Sequence, residues 1–101
     1  MANWLRLAAV ADIGDAGSFE AAGAKIAVFR TPEGFRALDD VCSHEYSLLS
    51  EGEVWDDRVY CPKHGSAFDL ATGAVCGLPA TEPVRAWKVK VEGEALWVEL
   101  P

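Results

Sequence analysis

Residues 40–69 read DVCSHEYSLLSEGEVWDDRVYCPKHGSAFD. Both histidines of the chain fall in this stretch, each within three residues of a cysteine: Cys42-Ser43-His44, then Cys61-Pro62-Lys63-His64. Sixteen residues separate the two pairs. Chance rarely places the only two histidines of a chain this way, so a shared metal site is the natural inference. Between the pairs, Glu53–Trp55 and Arg58–Cys61 flank Asp56-Asp57, which predicts a β-hairpin with a two-residue turn.

Outward from this stretch, short apolar runs alternate with turn residues, the pattern of an all-β domain. Trp4 to Val10 reads as a first strand. Residues 11–22, rich in Asp, Gly and Ala, read as a connection with room for one helical turn. Lys25–Arg30 and Phe35–Leu38 form a hairpin around Thr31-Pro32-Glu33-Gly34. Near the C-terminus Trp87, Val89 and Val91 alternate with Lys88, Lys90 and Glu92, predicting one apolar and one charged face. The turn Glu92-Gly93-Glu94 then leads into a last strand, Ala95–Leu100. Trp4, Phe29, Trp87 and Trp97 are expected to pack in the core or on the sheets.

At 101 residues the chain is expected to form one domain with a single modest core. A net charge of −7 argues against nucleic acid, which needs a basic stripe. It suits partners with basic surfaces. No apolar run approaches the roughly 18–20 residues that cross a bilayer, and Met1–Val10 does not read as a signal peptide. A cytoplasmic protein is therefore expected. Three cysteines without an export signal argue against a disulfide scaffold and for metal binding by two of them. Cys76, with no histidine nearby, reads as a small buried residue.

Two thiolates and two imidazoles would satisfy tetrahedral zinc, in a structural module that binds other proteins. Structural zinc loops, however, usually pair like with like, Cys with Cys and His with His. Here each loop offers one sulfur and one nitrogen. That mixture suits a binuclear centre, in which one iron takes both thiolates and the other both imidazoles.

Cys42-x-His44 followed by Cys61-Pro62-x-His64-Gly65 resembles the motif of Rieske proteins. The resemblance extends through Ser66-Ala67-Phe68-Asp69 and Thr72-Gly73, reaches back to Leu49-Ser50-Glu51-Gly52, and spans about residues 40 to 82. It implies one Rieske-type 2Fe–2S cluster held by Cys42, His44, Cys61 and His64. It also implies a β base, residues 1–39 and 73–101, topped by a cluster-binding subdomain at about 40–72. Pro62 would fix the backbone between ligands, and Gly65 would allow close approach of the main chain. Gly77-Leu78-Pro79 would correspond to the family's third, proline-containing loop, although Pro79 reads equally well as a plain turn residue. Two ferric ions, two sulfides and two thiolates sum to zero charge. Histidine ligation therefore raises the potential from roughly −400 mV to between about −150 and +300 mV.

High-potential Rieske subunits of respiratory complexes carry a second cysteine pair where this chain has Ser47 and Lys63, and a Tyr where it has Phe68. Those differences point to the low-potential class, whereas the hydroxyl of Ser66 points slightly the other way. The resemblance is thus to the Rieske-type ferredoxins of aromatic-ring-hydroxylating oxygenase systems. It implies a monomeric electron carrier between an NAD(P)H-dependent flavin reductase and a terminal oxygenase, with no catalysis of its own. A small subunit of an assimilatory nitrite reductase, or a Rieske domain cut from a larger oxygenase, would share the motif.

Overall fold

The computed structural model describes residues 3–21, 23–41, 48–62, 66–76 and 83–100. Ten strands are found among them: β1 (Asn3–Ala9), β2 (Ala16–Ala21), β3 (Ala24–Thr31), β4 (Gly34–Asp39), β5 (Glu53–Trp55), β6 (Arg58–Tyr60), β7 (Ala67–Asp69), β8 (Ala86–Trp87), β9 (Val89–Glu92) and β10 (Ala95–Leu100). Short 3-10 turns at Val10–Asp12 and Leu49–Glu51 complete the regular structure, so the all-β expectation holds. All strand pairings are antiparallel, in three sheets ordered β1-β10-β9, β2-β3-β4-β8 and β5-β6-β7.

Strand β3 explains how the sheets stack. Its residues Ile26, Ala27, Val28 and Phe29 are all fully buried. Side chains of a strand point alternately to opposite faces, so a continuous apolar run needs cover on both sides. Ile26 and Val28 join Ala8, Leu96 and Val98 in one core, against the first sheet. Ala27 and Phe29 join Leu49, Val59, Cys61 and Phe68 in a second core, against the third sheet. The β2-β3-β4-β8 sheet is therefore the middle layer, and the third sheet, with Cys61, packs on one of its faces.

Both predicted hairpins form, with β3 against β4 and β5 against β6. At the β5–β6 turn Asp56 and Asp57 have φ of 54° and 59°, the left-handed pair that a two-residue hairpin requires. The segment before β3 differs from expectation. Its helical turn is present, but Ala16–Ala21 is a strand, β2, and pairs along β3. Gly, Ser and Glu there give little strand propensity. Pairing with β3, not local preference, makes this edge strand.

The alternation from Trp87 to Glu92 also does not make one face. The run is divided at Lys88, with β8 in the middle sheet and β9 in the first. Trp87 is buried and its indole N–H donates to Asp39 Oδ1 at 2.7 Å, whereas Val91 is 55% exposed. A chain that changes sheets also changes what covers each side, and the period-two pattern loses its meaning there. Of the other aromatics named from the sequence, Phe29 and Trp4 pack as expected, whereas Trp55, in β5, is 70% exposed. Phe29 is in the core, and half-buried Trp4 carries the Lys90 ammonium 4.6 Å from its ring centre.

Candidate metal centre

Cys61 directly follows β6 and is 3% exposed, packed with Leu49, Val59 and Phe68. Its N–H donates to the Ser66 carbonyl at 2.7 Å, continuing the β6–β7 pairing one step beyond Tyr60–Ala67. The chain therefore leaves the sheet at Cys61 and re-enters at Ser66. On the far side of β7, the Cys76 N–H donates to the Ala67 carbonyl at 2.7 Å, and Phe68 bridges to Val75. Cys76 thus lies at the same end of the third sheet as Cys61. The Asp56-Asp57 turn lies at the opposite end.

The segment bearing the other Cys–His pair is rooted at the Cys61 end too. Val41 and Leu48 form an antiparallel bridge across residues 42–47, and the Leu49 N–H donates to the Asp40 carbonyl at 2.6 Å. From Leu49 the chain turns directly into β5. Gly52 makes that turn possible, since a Cβ there would run into the Tyr60 carbonyl group, with its carbon at 3.1 Å and the Leu49 oxygen at 3.2 Å. Gly73 plays a similar part after β7. It has φ of +77°, and a side chain on it would strike the Val84 carbonyl. The turn before it is tied by Asp69, whose carboxylate accepts the N–H groups of Ala71 at 2.8 Å and Thr72 at 3.0 Å.

Asp40 holds the root of residues 42–47 from below. Its side chain is fully buried, yet accepts three hydrogen bonds: the Ser50 N–H at 2.8 Å, the Ser50 hydroxyl at 3.0 Å and the Ser18 hydroxyl. Its own N–H donates to the Lys25 carbonyl at 2.9 Å. A buried carboxylate is costly without such partners. Nothing in the sequence singles out Asp40. The adjacent Asp39-Asp40 pair looks like surface charge, and the serines that hold Asp40 lie on other elements.

Of the sequence-derived ligands, Cys61 is described; Cys42, His44 and His64 lie outside the described residues. So do Glu45, Tyr46, Ser47, Lys63, Gly65, Gly77, Leu78 and Pro79. The surroundings fit a group with sulfur and nitrogen ligands. Both segments bearing the pairs are rooted at one end of the third sheet. A sulfur kept from water among Leu49, Val59 and Phe68 is well placed to share its charge with a metal. Ser66 and Phe68, the positions compared above with the high-potential class, are buried beside Cys61: Ser66 takes its N–H, and Phe68, on the neighbouring strand β7, shares its core.

Cys76 is exposed, which corrects the expectation of a buried residue. Val75 turns inward against the second core, so its neighbour must turn out. The thiol makes a weak contact of 3.5 Å to the Ala74 carbonyl. Nearby, the Tyr60 hydroxyl and then the Cys76 thiol raise the Arg58 guanidinium above its ordinary value, so Arg58 is charged at every working pH.

Comparison with known proteins agrees with this geometry. The family model for the Rieske [2Fe-2S] domain matches residues 3–88. The 3-phenylpropionate/cinnamic acid dioxygenase ferredoxin subunit of Shigella boydii serotype 4 (strain Sb227) is 43% identical over 77 residues, covering 75% of this chain and 73% of that one. A chain from the complex of reduced oxygenase and oxidized ferredoxin in carbazole 1,9a-dioxygenase superposes with a TM-score of 0.85 at 34% identity, covering 95% of this chain and 92% of the other. A nitrite reductase small subunit from Mycobacterium tuberculosis gives a TM-score of 0.86 at 22% identity, covering 100% of this chain and 97% of that one, a likeness of fold alone. The buried cysteine, the two segments bearing Cys–His pairs rooted at one sheet end, and the matched family model lead to one conclusion: the chain belongs to the Rieske [2Fe–2S] family.

Proposed function

We propose that this chain is a Rieske-type ferredoxin that takes single electrons from an NAD(P)H-dependent flavin reductase and delivers them to a terminal oxygenase acting on aromatic compounds. When bound, the cluster supplies a one-electron couple. Cys42 and Cys61 hold one iron, and His44 and His64 hold the other. Residues 1–39 and 73–101 serve as the base and about 40–72 as the cluster-binding subdomain. The carrier acts as a cytoplasmic monomer.

The observation that supports this reading best is the common rooting of the two ligand segments, with Cys61 buried between the middle and third sheets. Residues so anchored need little rearrangement when an electron arrives, and a carrier gains speed from a rigid site. The oxygenase partner rests on the names of the relatives, a dioxygenase ferredoxin subunit and a ferredoxin solved in complex with its oxygenase. The reductase follows from the need for an electron source. Among the described residues no helix is long and apolar enough to cross a membrane.

Reconstitution tests the proposal. Purified holoprotein, a flavin reductase and an oxygenase from neighbouring genes are combined with NADH or NADPH and an aromatic substrate. Product formation should require this chain. A loaded protein that no flavin reductase reduces, or one that purifies only as a subunit of a nitrite reductase, would rule the reading out.

A further inference from the structure

We infer that Asp40 is a positioning residue for the cluster, a fixed buried charge that holds the root of the Cys42–His44 segment and favours the oxidised state. The inference rests on the ligand assignment above. Three observations carry it. Asp40 is fully buried, which is rare for a carboxylate and needs a reason. Its oxygens accept from Ser18 on β2 and from both the N–H and the hydroxyl of Ser50, in the turn that follows the ligand segment. Its main chain takes the Leu49 N–H, so one residue grips both sides of residues 42–47.

An apolar residue could fill the same space, and Ser18 and Ser50 could then turn to solvent. A clamp made from a charge has a further consequence. Asp40 stands two residues before Cys42, inside a part of the protein that screens charge poorly. Reduction adds an electron nearby, and a fixed negative charge opposes it. The hydrogen bonds from Ser18 and Ser50 prevent its side chain from moving away. Buried dipoles and charges of this kind tune iron–sulfur centres generally. For Asp40 the sign is fixed: it lowers the potential.

Two variants of the holoprotein separate this from a purely structural role. Asp40→Asn has nearly the same shape, keeps an acceptor for the Ser50 N–H and removes the charge. It should shift the reduction equilibrium about tenfold toward the reduced form, 59 mV for a one-electron couple. Ser50→Ala keeps the charge but loses one donor of the clamp. Its potential should stay within about twofold of wild type in equilibrium constant, while a chelator removes its iron about tenfold faster. Voltammetry and the decay of visible absorbance measure the two effects. An Asp40→Asn potential equal to wild type would overturn the inference. So would the same potential shift in both variants, which would mean that loosening alone is responsible. An Asp40→Asn chain that takes up no cluster would make Asp40 a folding determinant and overturn it as well. A wild-type protein without a Rieske spectrum would instead remove the ligand assignment, and this inference with it.

Discussion

Gly52→Ala places one methyl group where the turn after Leu49 meets the end of β6. Backbone torsion is not the obstacle, since φ of Gly52 is −82°, an angle open to any residue. The obstacle is space. The new Cβ would fall within 3.0 Å of the Tyr60 carbonyl oxygen, 3.1 Å from its carbon and 3.2 Å from the Leu49 oxygen. Ordinary carbon contacts begin near 3.5 Å, so one strand must retreat on the order of 1 Å. Both neighbours are main chain. The Tyr60 peptide is locked between β5 and β7, and the Gly52 N–H already donates to the Leu49 carbonyl at 2.9 Å. Neither can rotate aside as a side chain would. Overpacking costs about 1–3 kcal/mol, and this case belongs at the upper end.

For a chain of about this size, 3 kcal/mol lowers Tm by roughly 12–24 °C. Because Tyr60 precedes Cys61, the displacement should also loosen the cluster. Melting of the holoprotein and the rate of iron loss to a chelator measure the two effects. Gly14→Ala is the control: nothing lies within 4 Å of its added Cβ, and it should change stability by less than about 0.5 kcal/mol. Equal effects from the two substitutions would refute the close-approach argument.

Substituting Cys42, His44, Cys61 or His64 should each abolish the cluster, whereas Cys76→Ser should retain it; iron and sulfide analysis decides. The potential is expected near the low end of the Rieske range, roughly −150 mV. Phe68→Tyr should raise it by adding a donor beside the thiolates, and Ser66→Gly should lower it; voltammetry showing no change in either would remove the hydrogen-bond argument. Lys63→Glu should slow transfer to at least one partner at low salt while leaving the spectrum unchanged, if a small interface below about 1,200 Å² includes Glu45, Tyr46, Pro62, Lys63 and Pro79. Replacing Asp56-Asp57 by Asn-Gly should raise stability by about 1 kcal/mol, since both positions have left-handed φ; an unchanged melt would contradict that turn geometry.

The hairpins were legible in the sequence because turn chemistry is local. Thr31-Pro32-Glu33-Gly34 and Asp56-Asp57 announce themselves to their immediate neighbours, and the strands on either side follow. Strand β2 was not legible, because Ala16–Ala21 becomes a strand only when β3 is beside it. The Trp87–Glu92 run misled for a related reason. Its period was real, but periodicity reports a face only while one sheet covers that face, and β8 and β9 belong to different sheets.

The candidate site divides along the same line. The proposed ligands lie in two short motifs, so spacing and chemistry suffice to propose four residues. What supports the motifs is not contiguous: Ser18 comes 22 residues before Asp40, and Gly52 matters because of Tyr60, across the hairpin. Support of this kind leaves no motif, since any small residue or any acceptor at one position looks ordinary until its partner is seen. Cys76 shows the reverse error. Cysteine is buried on average, but Val75 has already taken the inward direction, and side chains alternate. A ligand motif therefore says what is bound, and the hydrogen bonds at its roots say how firmly. In this chain the second question turns on Asp40 and Gly52, which hold the two ligand segments to a single sheet end.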